Sequence, residues 1–141
     1  MNVKAKKLNR DAKIPTYAEP GASGFDFYST KELTITPGGY GIIGTGLAFE
    51  IPRGYEIQVR GRSGLAFKHQ IVAAHFGTID ESYRGEVKIL LFNFSNDSYH
   101  ISPGERVAQG ILSPVTKADF KEVVELSKTE RGEGGIGSTG R

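Results

Sequence analysis

Turn-forming residues recur along most of this chain at short intervals. Glycine occurs 19 times and proline 6 times in 141 residues, and each glycine inside a helix costs about 1 kcal/mol relative to alanine. Turn signals fall at Pro20-Gly21, Pro37-Gly38-Gly39, Pro52-Arg53-Gly54, Ser95-Asn96-Asp97 and Ser102-Pro103-Gly104. The chain is therefore restricted to short elements joined by tight turns, and a largely helical fold is excluded.

The segments between these turns have the residue pattern of β-strands. In Tyr55–Arg60, apolar Tyr, Ile and Val alternate with polar neighbours, which indicates one solvated face. Val87–Phe92 carries apolar residues on both faces, so we expect both to be buried. Further strands are predicted at Phe25–Tyr28, Leu33–Ile35, Tyr40–Ile43, Leu47–Ile51, His69–Ala73 and Val107–Leu112. Many short strands predict an all-β sandwich, jelly roll or barrel.

Two segments fit the strand pattern less well. Ser63–Lys68 can form one helical turn. The apolar residues of Asp119–Leu126 fit a helical period as well as a strand, and we predict a strand. We divide the chain into one all-β domain, residues 1–130, and a tail, residues 131–141.

The tail contains five glycines and a single apolar side chain, Ile136, so it buries too little surface to offset the entropy of ordering. One interpretation is a disordered terminus. The other is a flexible anion clamp, in which backbone N–H groups, the Ser138 and Thr139 hydroxyls and two arginines bind a polyphosphate. The glycine spacing matches a dinucleotide fingerprint, but the chain ends where the required helix would begin.

Composition excludes several classes of protein. The chain has 18 Lys and Arg, 16 Asp and Glu and a formal charge of +2, without the clustered basic face of a nucleic-acid binder. It has no cysteine, so disulfides, thiolate zinc sites and cysteine nucleophiles are excluded. No apolar run approaches the ~20 residues of a membrane span. We expect a cytoplasmic protein without nucleic-acid or membrane partners.

Several polar residues could carry chemistry. Arg62-Ser63-Gly64 follows a strand and opens the possible helical turn, so it is either a phosphate seat or only a turn. Asp80 could act as a general base and Tyr83 could stack on a sugar or base, unless their loop is a plain surface hairpin. Asp26 is a solvated strand residue or an outer metal ligand. Arg106 and Gln109 enter an apolar strand and need polar partners.

In order along the chain, these segments resemble the five motifs of the trimeric dUTPases (dUTP nucleotidohydrolases). The motifs are Pro20–Ser29, Gly61–Ala66, Gly77–Glu86, Gly104–Gln109 and Arg131–Gly140. The resemblance covers nearly the whole chain. It implies a jelly-roll-like β fold, a homotrimer with shared active sites, and Mg²⁺-dependent hydrolysis of dUTP to dUMP and pyrophosphate. Such a reaction keeps uracil out of DNA and supplies dUMP for thymidylate synthesis.

The resemblance also implies roles for individual residues. Asp80 orients or deprotonates the water that attacks the α-phosphorus, and Tyr83 packs under the deoxyribose where a 2′-hydroxyl would clash. Asp26 reaches Mg²⁺ through water, while the triphosphate supplies the direct ligands. The catalytic set is Asp80, Arg62, Gln109 and Arg131. The substrate-binding set is Arg62, Ser63, Gly64, His75, Gly77, Thr78, Ile79, Asp80, Tyr83, Lys88, Gln109, Arg131, Ile136, Gly137, Ser138 and Thr139.

Residues 131–141 are expected to close as a lid over a neighbouring subunit's site. In the family a phenylalanine of this lid stacks over uracil, and this chain has Ile136 instead, so we expect weaker closure. Where many relatives have an asparagine before the third motif, this chain has Ala73-Ala74-His75-Phe76. Uracil is then recognised either by main-chain groups alone or by main-chain groups together with His75 or Phe76.

Two alternatives stay open. A dCTP deaminase of the same fold would need a proton-shuttling glutamate in the pocket. This chain has Leu90 at the position where that glutamate would fall, which disfavours the deaminase. A non-catalytic trimeric binding module would not need this set of polar residues. A regulatory protein partner is neither implied nor excluded.

Overall fold

The computed structural model describes residues 1–73, 77–136 and 138. Over these residues the chain forms short strands and one helix, which confirms the all-β prediction. The elements are β1 (Lys4–Lys7), β2 (Phe25–Tyr28), β3 (Leu33–Ile35), β4 (Tyr40–Gly44), β5 (Leu47–Glu50), β6 (Tyr55–Arg60), α1 (Ser63–His69), β7 (Ile71–Ala73), β8 (Thr78–Ile79), β9 (Lys88–Asn93), β10 (Tyr99–Ile101) and β11 (Arg106–Pro114).

The strands pair in four antiparallel sheets. The largest has the order β2-β11-β6-β8, the second has the order β4-β9-β7, and β1-β5 and β10-β3 form two-stranded ribbons. Alternate side chains of these sheets meet in one apolar core that includes Phe27, Ile57, Ile89, Leu91 and Val107. The neighbours of the core in sequence therefore lie on the outer faces, where cavities form.

The outer face of the β4-β9-β7 sheet is apolar and partly open to solvent. Tyr40 and Val72 both lie opposite Phe92 in the register, and Ile42 lies opposite Leu90. Tyr40 is 65% exposed and Ile42 is 51% exposed. We expected both faces of Val87–Phe92 to be buried. Only the inner face is fully buried, and the outer face stays partly open to solvent.

Helix α1 begins after the extended residue Arg62 and ends at Gln70, whose backbone is left-handed with φ of 53°. Only Leu65 of the helix is buried, and it fixes the helix against the core. The left-handed residue turns the chain out of the helix, so β7 begins at Ile71 rather than at His69 as predicted.

Residues 115–130, all of them described, form neither helix nor strand. The strand predicted over Asp119–Leu126 is therefore wrong for this chain. Phe120 and Val124 are almost completely exposed, so the segment has no surface to pack against. A strand also needs a neighbour for its backbone hydrogen bonds, and the β11 strand ends before this segment begins.

No helix in the described ranges is long and apolar enough to cross a bilayer.

Candidate functional site

A buried carboxylate joins three of the sequence motifs. Asp26 lies on β2 and is only 7% exposed. Its Oδ1 lies 3.3 Å from Nε of Arg62, and its Oδ2 lies 3.4 Å from Nη1 of Arg106. Arg62 also donates through Nη1 to the Arg106 carbonyl at 3.2 Å. We call these three residues the Asp26 cluster. Because both oxygens have cationic partners, Asp26 is not a solvated strand residue.

Strand pairing explains the cluster. The antiparallel register of β2 and β11 places Gln109 opposite Asp26, and the register of β11 and β6 places Gln109 opposite Arg60. Arg62 follows the end of β6 directly. The first, second and fourth motifs therefore meet across the neighbouring strands β2, β11 and β6 of the four-stranded sheet.

A cavity of about 410 Å³ opens beside the Asp26 cluster. We call it the Gln109 cavity; Ser63, Gly64, Gln109 and the cluster itself line it. Gln109 donates through Nε2 to the Gly61 carbonyl at 2.9 Å, which holds the entry to α1. A Cβ at Gly24 would lie 2.5 Å from Oε1 of Gln109, so a larger residue there would displace the Gln109 amide. Guanidinium groups, a hydroxyl and an amide make this cavity suitable for phosphate.

A second polar cavity of about 500 Å³ lies on the other side of the same cluster. Thr16, Tyr28, Tyr99 and Glu105 contribute to its lining. Burial, together with the nearby charge of Glu105, raises the pKa of the Tyr99 phenol, and this outweighs the opposing effect of Arg62. Tyr99 therefore stays protonated and neutral in the ordinary pH range.

The third motif lines a separate cavity of about 390 Å³, which we call the Asp80 cavity. Its polar lining includes Thr78, Asp80, Tyr83 and Lys88, and its apolar walls come from Ile42, Val59, Ile79, Val87, Ile89 and Leu90. Gly77 is held in place by its carbonyl, which accepts from Val59 N at 2.8 Å. An apolar slot with a few polar groups at its rim suits a flat, weakly polar ring.

A tight turn presents Asp80 and Tyr83 at the rim. Tyr83 N donates to the Asp80 carbonyl at 3.1 Å, and the Tyr83 hydroxyl donates to the Glu86 carbonyl at 3.1 Å. The Tyr83 ring lies so close over Gly85 that a Cβ at Gly85 would overlap it. Asp80 is exposed, so its carboxylate is available to a ligand.

The structure brings together most of the predicted residues, but in two groups. Arg62, Ser63, Gly64 and Gln109 line one cavity, and Gly77, Thr78, Ile79, Asp80, Tyr83 and Lys88 line the other. Within the described ranges the two cavities share no lining side chain.

The described tail residues line neither cavity. Arg131 donates through Nε to the Gly134 carbonyl at 2.7 Å, Ser138 N donates to the Gly135 carbonyl at 3.1 Å, and Ile136 is fully exposed. His75, Gly137 and Thr139, predicted to bind substrate, lie outside the described residues.

Arg106 was noted in the sequence only as a polar residue in an apolar strand, and it was not assigned to the site. The signal that could have found it is a buried aspartate, which needs cationic partners in the fold. Ile42 and Glu86 were also not assigned to a binding site. Ile42 reaches the Asp80 cavity because β4 pairs with β9 and places it opposite Leu90.

The residues present fit a magnesium ion that arrives with a polyphosphate better than an ion bound by the protein alone. In the described part of the chain, no three acidic or histidine side chains converge on one point. Asp26 is the one predicted ligand, and two arginines already occupy its oxygens. Mg²⁺ usually retains several waters and takes one or two carboxylates together with substrate phosphates. A water-mediated contact with Asp26 is compatible with this coordination preference.

The chain is similar to known proteins over its full length. The dUTPase family model matches residues 10–140. The deoxyuridine 5′-triphosphate nucleotidohydrolase of Nautilia profundicola is 55% identical, with 100% of both chains covered. The enzyme of the same name from Helicobacter hepaticus is 49% identical over 99% of this chain and 89% of its own length. The dUTPase of Staphylococcus bacteriophage 80alpha, solved with dUPNHPP, is 28% identical with a TM-score of 0.92, and 99% of each chain is covered. The jelly-roll-like fold expected from the motifs is thereby confirmed, and the chain belongs to the dUTPase family.

Proposed function

We propose that the chain hydrolyses dUTP to dUMP and pyrophosphate. The observation that supports this most directly is the division of the motif residues between two cavities of opposite character. The Gln109 cavity is lined by cationic and amide groups that suit a triphosphate, and the Asp80 cavity has the apolar walls that suit a pyrimidine.

The Asp26 cluster and Gln109 would bind the triphosphate. Arg62 has a fixed counterion in Asp26, so its guanidinium is held in one orientation before substrate binds. Such preorganised charge stabilises the negative charge that develops at the α-phosphorus in the transition state. Magnesium, when bound with the triphosphate, would supply further charge neutralisation, and Asp26 would contact it through water. The magnesium requirement is part of this proposal.

The Asp80 cavity would hold deoxyuridine. Val59, Ile79 and Leu90 give the base apolar contacts, and main-chain groups of residues 77–79 lie at its edge. Asp80 would accept a proton from the attacking water, a role for which an exposed carboxylate at the cavity rim is available. Tyr83 would pack against the deoxyribose and exclude a 2′-hydroxyl.

We propose that a complete site forms between two copies of the chain, with the Asp80 cavity supplied by one copy and the Gln109 cavity by another. The exposed apolar face around Ile42 and Phe92 continues into the Asp80 cavity, since Ile42 and Leu90 belong to both. A second copy seated on this face would place its Gln109 cavity beside the Asp80 cavity. Such head-to-tail contacts close into a ring when the rotation is right, and we propose the homotrimer implied by the motifs.

The tail, residues 131–141, would act as a lid on a neighbouring copy. Arg131, Ile136 and Ser138 line neither cavity of their own chain, and residues 115–130 connect them to β11 without helix or strand. A lid excludes bulk water during the reaction and releases product on opening. A cytoplasmic location stays a prediction from the sequence.

A deaminase acting on dCTP is disfavoured by the cavity lining. Leu90 lies in the cavity wall, at the position where a deaminase would require a glutamate. The carboxylate of Glu86 also faces this cavity, but its Oε1 accepts from Gly46 N at 2.9 Å.

The test is pyrophosphate release with Mg²⁺ from dUTP, dTTP, dCTP and UTP in parallel, together with ammonia release from dCTP. We expect release from dUTP alone, and we expect Asp80→Asn to lower it by about 10²–10⁴-fold, the usual contribution of a general base. Equal release from UTP would contradict the role of Tyr83, and ammonia from dCTP would contradict the proposed reaction. If neither pyrophosphate nor ammonia is released from any of the four nucleotides, a non-catalytic binding module is favoured.

A further inference from the structure

We propose that Glu81 is a positioning residue that holds Asp80 and Tyr83 in their working geometry. This inference rests on the proposed function, because its catalytic consequence is expressed in the hydrolysis of dUTP. Glu81 lines none of the three cavities.

The Asp80–Tyr83 turn has few fixed points of its own. Arg84 donates through Nη1 to the Glu81 carbonyl at 2.6 Å and to the Tyr83 carbonyl at 3.0 Å, but these contacts stay within the loop. The Tyr83–Glu86 hydrogen bond is also local. Local bonds fix the shape of a loop and do not fix its place on the protein.

The pairing of β8 with β6 attaches the loop just before Asp80, and two carboxylates connect the rest of it to other elements. Glu86, at its end, accepts from Gly46 N. Glu81, next to Asp80, accepts through Oε2 from Gly54 N, 27 positions away. Glu81 is half-buried, so this charge-assisted bond is partly shielded from water and is stronger than an exposed one.

Gly54 is a firm attachment point. It has a left-handed φ of +80°, which glycine tolerates without strain. Its carbonyl accepts from Val115 N at 2.8 Å, and Tyr55 N donates to the Pro52 carbonyl at 3.1 Å across the same turn. Removing the Glu81 carboxylate would therefore release the loop from a rigid β5–β6 turn and leave the Gly54 amide unpaired.

The consequence is specific. A displacement of about 1 Å at a catalytic group costs up to about 10²-fold in rate. Because Asp80 and Tyr83 lie on either side of Glu81 in the same loop, a shift of Glu81 displaces both. We therefore expect loss of turnover together with loss of discrimination between dUTP and UTP. A residue with only a structural role would lower the active fraction for both nucleotides equally and leave their ratio unchanged.

The experiment compares Glu81→Ala, Glu81→Gln and a control, Glu32→Ala, in the full chain with Mg²⁺. Glu32 is a matched carboxylate on the surface, paired with His100, and it lines neither cavity. For Glu81→Ala we expect kcat for dUTP to fall about tenfold or more and the dUTP-to-UTP ratio of kcat/KM to narrow. Glu81→Gln keeps an acceptor oxygen and recovers much of both, and Glu32→Ala matches the parent protein.

Amide hydrogen exchange at Gly54, followed by NMR, gives a readout that is independent of catalysis. We expect faster exchange in Glu81→Ala than in the parent protein or Glu32→Ala. Unchanged exchange and an unchanged nucleotide ratio would overturn the proposal. If the parent protein does not hydrolyse dUTP, the proposed function fails by itself, and the exchange rates still decide whether Glu81 anchors the loop.

Discussion

Arg62 lies with its Nε 3.3 Å from Oδ1 of Asp26, although 36 positions separate the two residues. The contact joins the first motif to the second, and Arg106 completes it on the other carboxylate oxygen. A buried aspartate between two arginines serves two purposes here. It removes the cost of burying a charge, and it fixes the guanidinium groups that we propose to contact the triphosphate.

Asp26→Asn should lower the stability of the fold and raise the magnesium concentration that the enzyme needs. The change leaves two partly buried arginines without their counterion, so we expect the free energy of unfolding to fall by about 1.5–3 kcal/mol, the range for hydrogen bonds to charged groups. Denaturation in urea measures this loss. The magnesium concentration at half-maximal dUTP turnover should rise, because the water-mediated contact is weakened.

Glu50→Gln is the control for Asp26→Asn, since it removes a carboxylate from the exposed Lys4 pair. It should alter neither the magnesium dependence nor the turnover. An unchanged magnesium curve in Asp26→Asn would remove Asp26 from the proposed metal contact.

Tyr99→Phe should make the protein more resistant to alkali. Burial raises the pKa of Tyr99 in the folded state, while the unfolded chain has the ordinary value of about 10. Above that pH the unfolded state loses the proton first, so stability falls as pH rises through the folded pKa. Phenylalanine cannot ionise and avoids this loss.

Urea denaturation of Tyr99→Phe and the parent protein should therefore give similar slopes of stability against pH below pH 9 and diverge above about pH 10. Tyr17→Phe, a substitution at an exposed tyrosine, is the matched control and should follow the parent protein. Parallel curves for all three proteins would show that Tyr99 ionises equally in both states.

The sequence predicted most strands because period-2 patterns such as that of Tyr55–Arg60 depend only on local residues. It missed β1, whose sequence is three lysines and an alanine. That strand forms by pairing with β5, and lysines are typical of edge strands. It also missed β8 and β10, which are only two and three residues long.

The motifs identified the site residues, but local sequence could not show how they are grouped. The placement of Gln109 opposite Asp26 depends on a strand register between distant segments. The predicted strand at Asp119–Leu126 failed for a related reason, since a pattern of apolar residues does not reveal whether the chain itself supplies a partner.

Ile136→Phe should strengthen substrate binding if the tail closes over the base. Stacking of an aromatic ring on a base is worth about 1–3 kcal/mol, whereas isoleucine offers apolar contact without a π face. We expect a lower KM for dUTP, and Ile136→Ala should raise it. Ile136 is fully exposed, so neither change should affect the free energy of unfolding. Steady-state kinetics that are identical for all three proteins would exclude Ile136 from the closed site.

Mixing two inactive variants tests whether the site is shared between copies. Asp80→Asn damages one cavity and Arg62→Gln damages the other, so each variant alone should be nearly inactive. In an assembly with shared sites, some sites receive Asp80 from one variant and Arg62 from the other. After unfolding and refolding together in equal amounts, random assembly of head-to-tail sites restores about a quarter of the parent activity. If both cavities of one site belonged to the same chain, every site in the mixture would lack one of the two residues, and no activity would return.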